Sequence, residues 1–111
     1  MSSLYAKYIQ ERTHDQIIET EYGFVTYRFV NEGKTVYIVD IYVLPEHRKQ
    51  MLATSLANQV AREAKERGCV DMIGTVVPSA KGSTTSVKVL LGYGMSINSA
   101  AHDVVVFRKE L

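Results

Sequence analysis

The stretch VYIVDIYVLPEHRKQMLATSL, Val36 to Leu56, contains the features that decide the fold. It begins with the β-branched and aromatic residues typical of a strand and ends with apolar residues at helical spacing. Proline cannot donate a hydrogen bond to a strand ladder, so Pro45 predicts that the strand ends near Leu44. A basic turn without glycine joins the two elements. This turn is either a phosphate-binding loop or a connector whose charges are solvated.

A second strand is predicted directly after the helix. Gly68 stands where a helix C-terminus needs a left-handed residue, and residues 69–77 are apolar and β-branched. A strand, a helix and a strand in succession favour a parallel pair, because the helix carries the chain back across the sheet. The strand before the helix has apolar residues at both alternating sets of positions, which predicts a central place in the sheet.

The other segments complete one α/β domain. Residues 22–30 alternate as a strand should, and the turn NEGK at 31–34 joins them to the central strand as a hairpin. The further predicted elements are a strand at 4–9, a short helix or a long connection at 10–21, a helix within 79–94, and strands at 95–99 and 103–111. We therefore predict a single domain over residues 1–111 with a mixed, mostly antiparallel sheet.

The composition favours a globular protein. Of the 111 residues 46% are hydrophobic and 23% charged, and 13 basic residues against 12 acidic ones give a formal net charge of +1. This balance provides no large positive field for nucleic acid, and no run approaches the roughly 18 apolar residues of a membrane span. The first residues lack the apolar segment of a signal peptide. We expect a cytoplasmic protein with neither nucleic acid nor a membrane as partner.

The turn after the central strand keeps a recognisable spacing. In VLPEHRKQMLATSLANQV, Val43 and Pro45 are followed by Arg48 and, five residues later, by Ala53. This resembles the signature of the GNAT superfamily, the acetyl-CoA-dependent N-acetyltransferases. In that signature a hydrophobic strand ends near V-x-P and is followed by R/Q-x-x-G-x-G/A and an amphipathic helix. Met51 occupies the place of the middle glycine.

The resemblance implies that this turn binds the pyrophosphate of acetyl-CoA as co-substrate, without a metal. Unpaired backbone N–H groups at a helix start attract anions, and Arg48 and Lys49 would add charge-assisted contacts. Because methionine lacks the conformational freedom of glycine, a positive φ at Met51 would predict an impaired site. The cofactor-binding residues implied are Val43, Leu44, Arg48, Lys49, Gln50, Met51, Leu52, Ala53 and Ser83.

A second family pattern, N-x-x-A followed by an aromatic residue and G-F, is matched poorly. Aligned on Gly94, it places Ser83 at the asparagine, Ser86 at the alanine and Leu90 at the tyrosine that protonates the leaving thiolate. Leucine cannot donate a proton. We take Tyr93, three residues further on, as the substitute candidate for the catalytic acid.

Asp40 is the first candidate for the catalytic base. Strict alternation along the strand surrounds it with apolar residues, and desolvation strengthens a carboxylate as a proton acceptor. The alternative is a structural aspartate, and the strand glutamate of the family would fall nearer Tyr37. Cys69, the sole cysteine, is predicted to be a buried structural thiol, and three scattered histidines predict no metal site.

The resemblance implies transfer of an acetyl group to an amine. Residues 1–21 are short for the acceptor side of this family, so we expect an open site that takes a protein or another large acceptor. The alternatives are an inactive binding or structural protein with the same fold and, more weakly, a nucleic-acid module. An exposed edge strand at 4–9 or 103–109 would allow a homodimer.

Overall fold

In a computed structural model of the chain, residues 3–48, 51–80 and 83–111 are described. These residues form six strands and three α-helices. In chain order they are α1 (Leu4–Thr13), β1 (Gln16–Glu19), β2 (Gly23–Val30), β3 (Thr35–Val43), α2 (Leu52–Glu66), β4 (Asp71–Val76), α3 (Ser83–Gly92), β5 (Ser96–Ala101) and β6 (Val104–Glu110). A short 3-10 turn at Pro45–His47 precedes α2.

The described strands form a single sheet in the order β1-β2-β3-β4-β6-β5. Only β3 and β4 run parallel, with α2 as the crossover between them, and the other neighbouring pairs are antiparallel. The predicted α/β domain with a mixed, mostly antiparallel sheet is confirmed, as is the central position of β3. The predicted hairpin between β2 and β3 is present, and Asn31, Glu32 and Gly33 in its turn have positive φ.

The core lies between one face of the sheet and helices α2 and α3. Leu56, Val60 and Ala64 are spaced along one face of α2 and are fully buried against the sheet, together with Met72 and Phe107. Burial of each large aliphatic side chain stabilises the fold by roughly 1.5 to 3 kcal/mol. Gly68 has a φ of 93° just after α2, as predicted for the end of this helix.

The predicted first strand at residues 4–9 is wrong, because these residues lie in helix α1. The Ser3 hydroxyl caps this helix by accepting a 3.0 Å hydrogen bond from the N–H of Ala6. Helix capping at Ser3 and the packing of Tyr5 against Phe24, 5.2 Å between ring centroids, outweigh the local strand pattern. The first strand is β1, within the polar segment for which a short helix or a connection was predicted.

The predicted edge strands are also wrong. Residues 4–9 are helical, and β6 lies between β4 and β5. Strands β1 and β5 are the edges of the described sheet, and every residue of β5 is exposed. The apolar run of β6 is explained by an interior position rather than by an edge. The homodimer remains a prediction.

Strand β3 contains a β-bulge that breaks the strict alternation predicted for it. Thr26 pairs with Asp40 and Tyr27 with Ile38, so Val39 is an extra residue without a partner on β2. Beyond the bulge Ile41 packs against the core, whereas Asp40 is exposed. The predicted burial of Asp40 is therefore wrong, because the bulge turns it to the face opposite α2.

Cys69 is buried, as predicted, and its thiol donates a 3.2 Å hydrogen bond to the carbonyl of Gly33. Burial raises the pKa of this thiol, with a smaller contribution from the charge of Asp71. Both effects keep it protonated and unreactive. Among the described helices, none is long and apolar enough to cross a membrane.

Candidate active site

The two central strands separate part of the way along their length. Parallel pairing between β3 and β4 runs from Thr35 opposite Asp71 to Ile38 opposite Gly74, and then stops. The bulge at Val39 comes directly after the last pair, and a bulge bends its strand. Residues 39–43 of β3 thus diverge from residues 75–76 of β4. The space between these two segments is called the notch below.

The notch contains a cavity of about 400 Å³. Most of its wall is apolar, and its polar side chains are those of Asp40, Tyr42, Arg48 and Thr75. A mostly apolar cleft with a few polar groups is typical of a small-molecule or cofactor site. Residues that line it are Ile38, Val39, Asp40, Ile41, Tyr42, Val43, Arg48, Ala53, Gly74, Thr75, Val76, Val89 and Leu90.

Helix α2 begins at the notch. Ala53, in its first turn, lines the cavity, and the side chain of its N-cap residue, Met51, makes no capping hydrogen bond. The N–H of Ser55 makes the first intrahelical hydrogen bond, 3.0 Å to the carbonyl of Met51. The N–H groups ahead of it have no partner four residues back within the helix and lie at the positive end of the helix dipole. The notch therefore ends in a place suited to an anion.

Met51 is the N-cap of α2 and has φ 58° and ψ 22°, the left-handed conformation that favours glycine. The signature of the family has a glycine at this position. The side chain of Met51 is 70% exposed, so its Cβ points to solvent rather than into the fold. The backbone of Met51 thus has a conformation that glycine adopts freely. This conformation costs a residue with a side chain about 1 to 2 kcal/mol.

Arg48 joins the turn to the end of β3. Its Nε donates a 2.9 Å hydrogen bond to the carbonyl of Val43, and its guanidinium carbon lies 5.7 Å from the ring centroid of Tyr42. The turn itself is held by the N–H of His47, which donates to the carbonyl of Leu44 at 2.9 Å. These contacts place a cation at the same end of the notch as the start of α2.

Asp40 and Tyr42 lie on the face of the sheet opposite α2. Both are exposed, and the ring of Tyr42 stacks on that of Phe24 with 5.8 Å between centroids. Because Asp40 lines the cavity and also faces solvent, its carboxylate is reachable from both sides. A large molecule could approach this carboxylate without entering the cavity.

Tyr93 lies outside the larger cavity. Its hydroxyl donates a 2.8 Å hydrogen bond to Oδ1 of Asn58 on α2, and burial raises the pKa of this hydroxyl. Leu90, one turn earlier on α3, lines the notch instead and also lies 3.8 Å from where a Cβ on Gly74 would be. Tyr93 borders a smaller apolar cavity of about 30 Å³ behind Leu90.

The structure brings some of the predicted site residues together and leaves others apart. Asp40, Val43, Arg48 and Ala53 line one cavity. Leu44, Met51 and Leu52 flank the same turn without lining it. Lys49 and Gln50 lie outside the described residues. Ser83 begins α3, and its side chain also lies outside what the structure describes.

Thr75 was missed by the sequence analysis. Its hydroxyl lines the notch and lies 3.0 Å from the hydroxyl of Tyr37, across the point where β3 and β4 separate. Tyr37 stands near the position at which the resemblance places a strand glutamate. A threonine inside an apolar strand gives no signal of its own, and only the register of the two strands brings this pair together.

The geometry described above agrees with comparisons to known proteins. The sequence profile of the acetyltransferase (GNAT) family matches residues 13–85. The chain therefore belongs to the GNAT acetyltransferase family. Among the part of the chain that the structure describes, no group of three or more His, Cys, Asp or Glu side chains could hold a metal ion.

A curated relative is the thialysine N-epsilon-acetyltransferase of Mus musculus, 38% identical over 50 residues, which are 42% of this chain. The match spans 29% of the relative's length, so the chain covers less than a third of it.

Two solved structures in complex with coenzyme A have the same fold. The PaiA N-acetyltransferase of Thermoplasma acidophilum superposes with a TM-score of 0.75 at 12% identity, covering 97% of this chain and 69% of that one. An acetyltransferase of Bacillus subtilis gives a TM-score of 0.74 at 15% identity, covering 95% and 83%. At these identities the likeness establishes the fold alone.

Proposed function

We propose that the protein transfers an acetyl group from acetyl-CoA to the nitrogen of an amine. The observation that carries this proposal is the notch, a cleft of about 400 Å³ between two separated strands that ends at the start of α2. The cleft suits an extended, largely apolar arm, and the helix start suits the phosphates at the end of that arm. Membership of the GNAT acetyltransferase family and the similarity to an N-acetyltransferase support the same reaction.

The residues of the chain fit this co-substrate in two respects. Beyond Ile38 the edge of β3 is free of β4, so its backbone groups are open to the amides of the pantetheine arm. Arg48 and the first N–H groups of α2 lie at the far end, and Lys49 and Gln50 remain predicted contacts there. A backbone N–H in the notch would polarise the thioester carbonyl, and positioning would supply much of the rate.

Asp40 is proposed as the base. The acceptor begins as an ammonium, and Asp40 removes its proton directly or through one water molecule. The nitrogen lone pair then forms a bond to the carbonyl carbon while the carbon–sulfur bond breaks, the sulfur leaves as a thiolate, and the second proton of the nitrogen passes to water. Because the hydroxyl of Tyr93, the predicted acid, is bonded to Asn58 and Tyr93 lies outside the notch, we propose that water protonates this thiolate.

We propose a large acceptor, such as the side chain of a protein. Asp40 is exposed, and the exposed ring of Tyr42 lies near it on the same face of the sheet. Assays should compare small amines and polyamines with lysine-containing peptides. Efficient, saturable turnover of a small amine would contradict the proposal of a large acceptor but not the proposed acetyl transfer.

The second candidate is an inactive protein that keeps the family fold. Met51 in a left-handed conformation and Leu90 in place of the family tyrosine favour it. Calorimetry with acetyl-CoA separates the two. We expect saturable binding at micromolar concentrations, and an absence of binding at millimolar acetyl-CoA would overturn the enzyme.

A further inference from the structure

The side chain of Arg48 closes one end of the notch from within the chain. Val43 is the last residue of β3, and Arg48 follows it after the short turn at Pro45–His47. The 2.9 Å hydrogen bond from Arg48 Nε to the Val43 carbonyl spans this turn and ties its two ends together. A side chain that only attracted phosphate would not need this contact with the strand.

The direction of the Val43 carbonyl follows from the pairing of β2 with β3. The N–H of Leu44 donates a 2.8 Å hydrogen bond to the carbonyl of Tyr22, while Gly23 lies opposite Val43. Gly23 and Val43 are therefore a non-hydrogen-bonded pair, and the polar backbone groups of Val43 point away from β2. They point to the side from which β4 has departed, which is the notch.

Ile41 lies two residues earlier in the same register, so its backbone groups also point into the notch. With the Val43 carbonyl taken by Arg48, the notch presents the N–H of Val43 and both backbone groups of Ile41. These are the groups that a ligand amide can pair with. Arg48 thus determines both which backbone groups are open and how the end of β3 is held.

The guanidinium of Arg48 is fixed from a second direction by a ring. Its carbon lies 5.7 Å from the centroid of Tyr42, and Tyr42 is stacked on Phe24 at 5.8 Å. A cation over an aromatic face is attracted by the negative charge of the ring's π face. A hydrogen bond and a ring together hold the planar group more rigidly than either does alone.

We propose that Arg48 is a positioning residue, which holds the end of β3 so that the notch can bind the pantetheine arm of an acyl donor. The inference rests on the proposed function but goes beyond the attraction of phosphate. If Arg48 acts through the strand, its loss weakens a donor that has no nucleotide. If Arg48 acts only as a charge near phosphate, the loss of Arg48 leaves the binding of such a donor unchanged.

The experiment compares acetyl-CoA with acetyl-pantetheine, which lacks the nucleotide and its pyrophosphate. In Arg48→Gln we expect kcat/KM for acetyl-pantetheine to fall about tenfold, in keeping with the loss of a charge-assisted hydrogen bond. For acetyl-CoA the KM should rise at least as much, while kcat stays within about threefold. Arg48→Lys should recover little of the lost kcat/KM for acetyl-pantetheine, because an ammonium group lacks the planar, forked set of donors of a guanidinium.

Two further variants complete the comparison. Tyr42→Ala removes the ring under the guanidinium and should lower kcat/KM for acetyl-pantetheine severalfold, whereas Tyr42→Phe keeps the ring and should recover most of that loss. Arg62→Gln removes an exposed charge further along α2 and should leave both donors unchanged. Circular dichroism confirms that each variant folds. If Arg48→Gln does not fold, the comparison of Tyr42→Ala with Tyr42→Phe tests the inference by itself.

The experiment distinguishes a failure of the proposed function from a failure of this inference. A parent protein that uses neither donor overturns the proposed function and this inference with it. A parent that uses acetyl-CoA but gives no turnover of acetyl-pantetheine overturns the inference alone, since the notch would then not hold the arm by itself. Arg48 and Tyr42 variants with unchanged kcat/KM for acetyl-pantetheine also overturn it alone.

Discussion

The hydroxyl of Tyr93, the residue that follows α3, donates a 2.8 Å hydrogen bond to Oδ1 of Asn58 on α2. This contact ties together the two helices that cover one face of the sheet. It also directs the hydroxyl away from the notch, where Leu90 stands instead. The nitrogen of Lys109, 4.2 Å from the ring centroid of Tyr93, holds the ring on its other side.

Tyr93→Phe should therefore affect stability more than catalysis. We expect the free energy of unfolding to fall by about 0.5 to 1 kcal/mol, the usual net contribution of one neutral hydrogen bond. The kcat for acetyl transfer should stay within about twofold. Urea denaturation and steady-state kinetics on the same preparation measure both. A fall in kcat of a hundredfold would restore Tyr93 as the acid.

Met51→Gly should stabilise the protein. Glycine adopts the φ of 58° at this position without the strain of a side chain, and the unfolded chain gains some freedom in return. We expect a net gain of up to about 1 kcal/mol in the free energy of unfolding and a rise of about fivefold in affinity for acetyl-CoA.

Met51→Ala is the control, because it removes the long side chain but keeps the Cβ and the strain. It should give neither gain. Thermal unfolding and calorimetry serve for both variants, and a weaker affinity for acetyl-CoA in Met51→Gly would show that the methionine side chain itself contributes to binding.

Asp40→Asn should lower kcat/KM about a hundredfold or more at neutral pH, since general base catalysis contributes on that scale. The fold should be unaffected because Asp40 is exposed. The deficit should shrink as the pH rises, because a free amine needs no base. Glu46→Gln removes an exposed charge in the turn that follows β3 and should have little effect. A deficit that does not change with pH would remove Asp40 from this role.

Asp71 should make stability depend on pH. Burial alone raises the pKa of its carboxyl, but hydrogen bonds from Thr35 and Arg108 and the charge of Arg108 outweigh burial and hold the pKa below its ordinary value. The Arg108 Nε lies 2.8 Å from Oδ2 of Asp71. A lowered folded pKa stabilises the protein above the unfolded value of about 3.9, and this stabilisation is lost as the pH falls through the folded pKa.

Asp71→Asn should therefore lower the free energy of unfolding by about 2 kcal/mol at pH 7. The difference between the parent and this variant should narrow below pH about 4. Urea denaturation at a series of pH values measures the difference. A gap that stays constant down to pH about 2 would contradict the assignment.

Gly23→Ala should be strongly destabilising. A Cβ on Gly23 would overlap the carbonyl oxygen of Tyr42, and this neighbour is backbone in a paired strand. The end of β3 would have to shift, at a cost of about 1 to 3 kcal/mol. Gly92→Ala, where no atom lies within 4 Å of the added Cβ, is the control. Equal stability of the two variants would show that β3 can move freely.

The sequence predicted most of the architecture because its strongest signals are local. The periodicity of α2, Gly68 at its end and Pro45 after β3 place the strand-helix-strand unit within a few residues of where it lies. The prediction for the N-terminal segment was wrong because this segment is short and polar. Its helix depends on capping by Ser3 and on a contact between Tyr5 and Phe24. No local pattern contains such a contact.

The candidate site was predictable only where it is continuous in sequence. The turn at Arg48 and the helix start at Ala53 follow from spacing, because both lie in one short segment. Thr75 was not predictable, since it reaches the notch from a strand more than thirty residues away from Asp40. The exposure of Asp40 was missed because one unpaired residue, Val39, reverses the alternation on which the prediction depended.

The bulge at Val39 has a consequence for how such a cleft can arise or vanish in evolution. A strand one residue shorter would keep its hydrogen bonds to β2 and could continue alongside β4, closing the space between them. Each later residue would keep its partner on β2, so its side chain would stay on the same face of the sheet. The cleft therefore depends on the number of residues in the strand and not on the chemical identity of any one residue. Substitutions can refine it, whereas a single in-frame codon deletion would abolish it in one step.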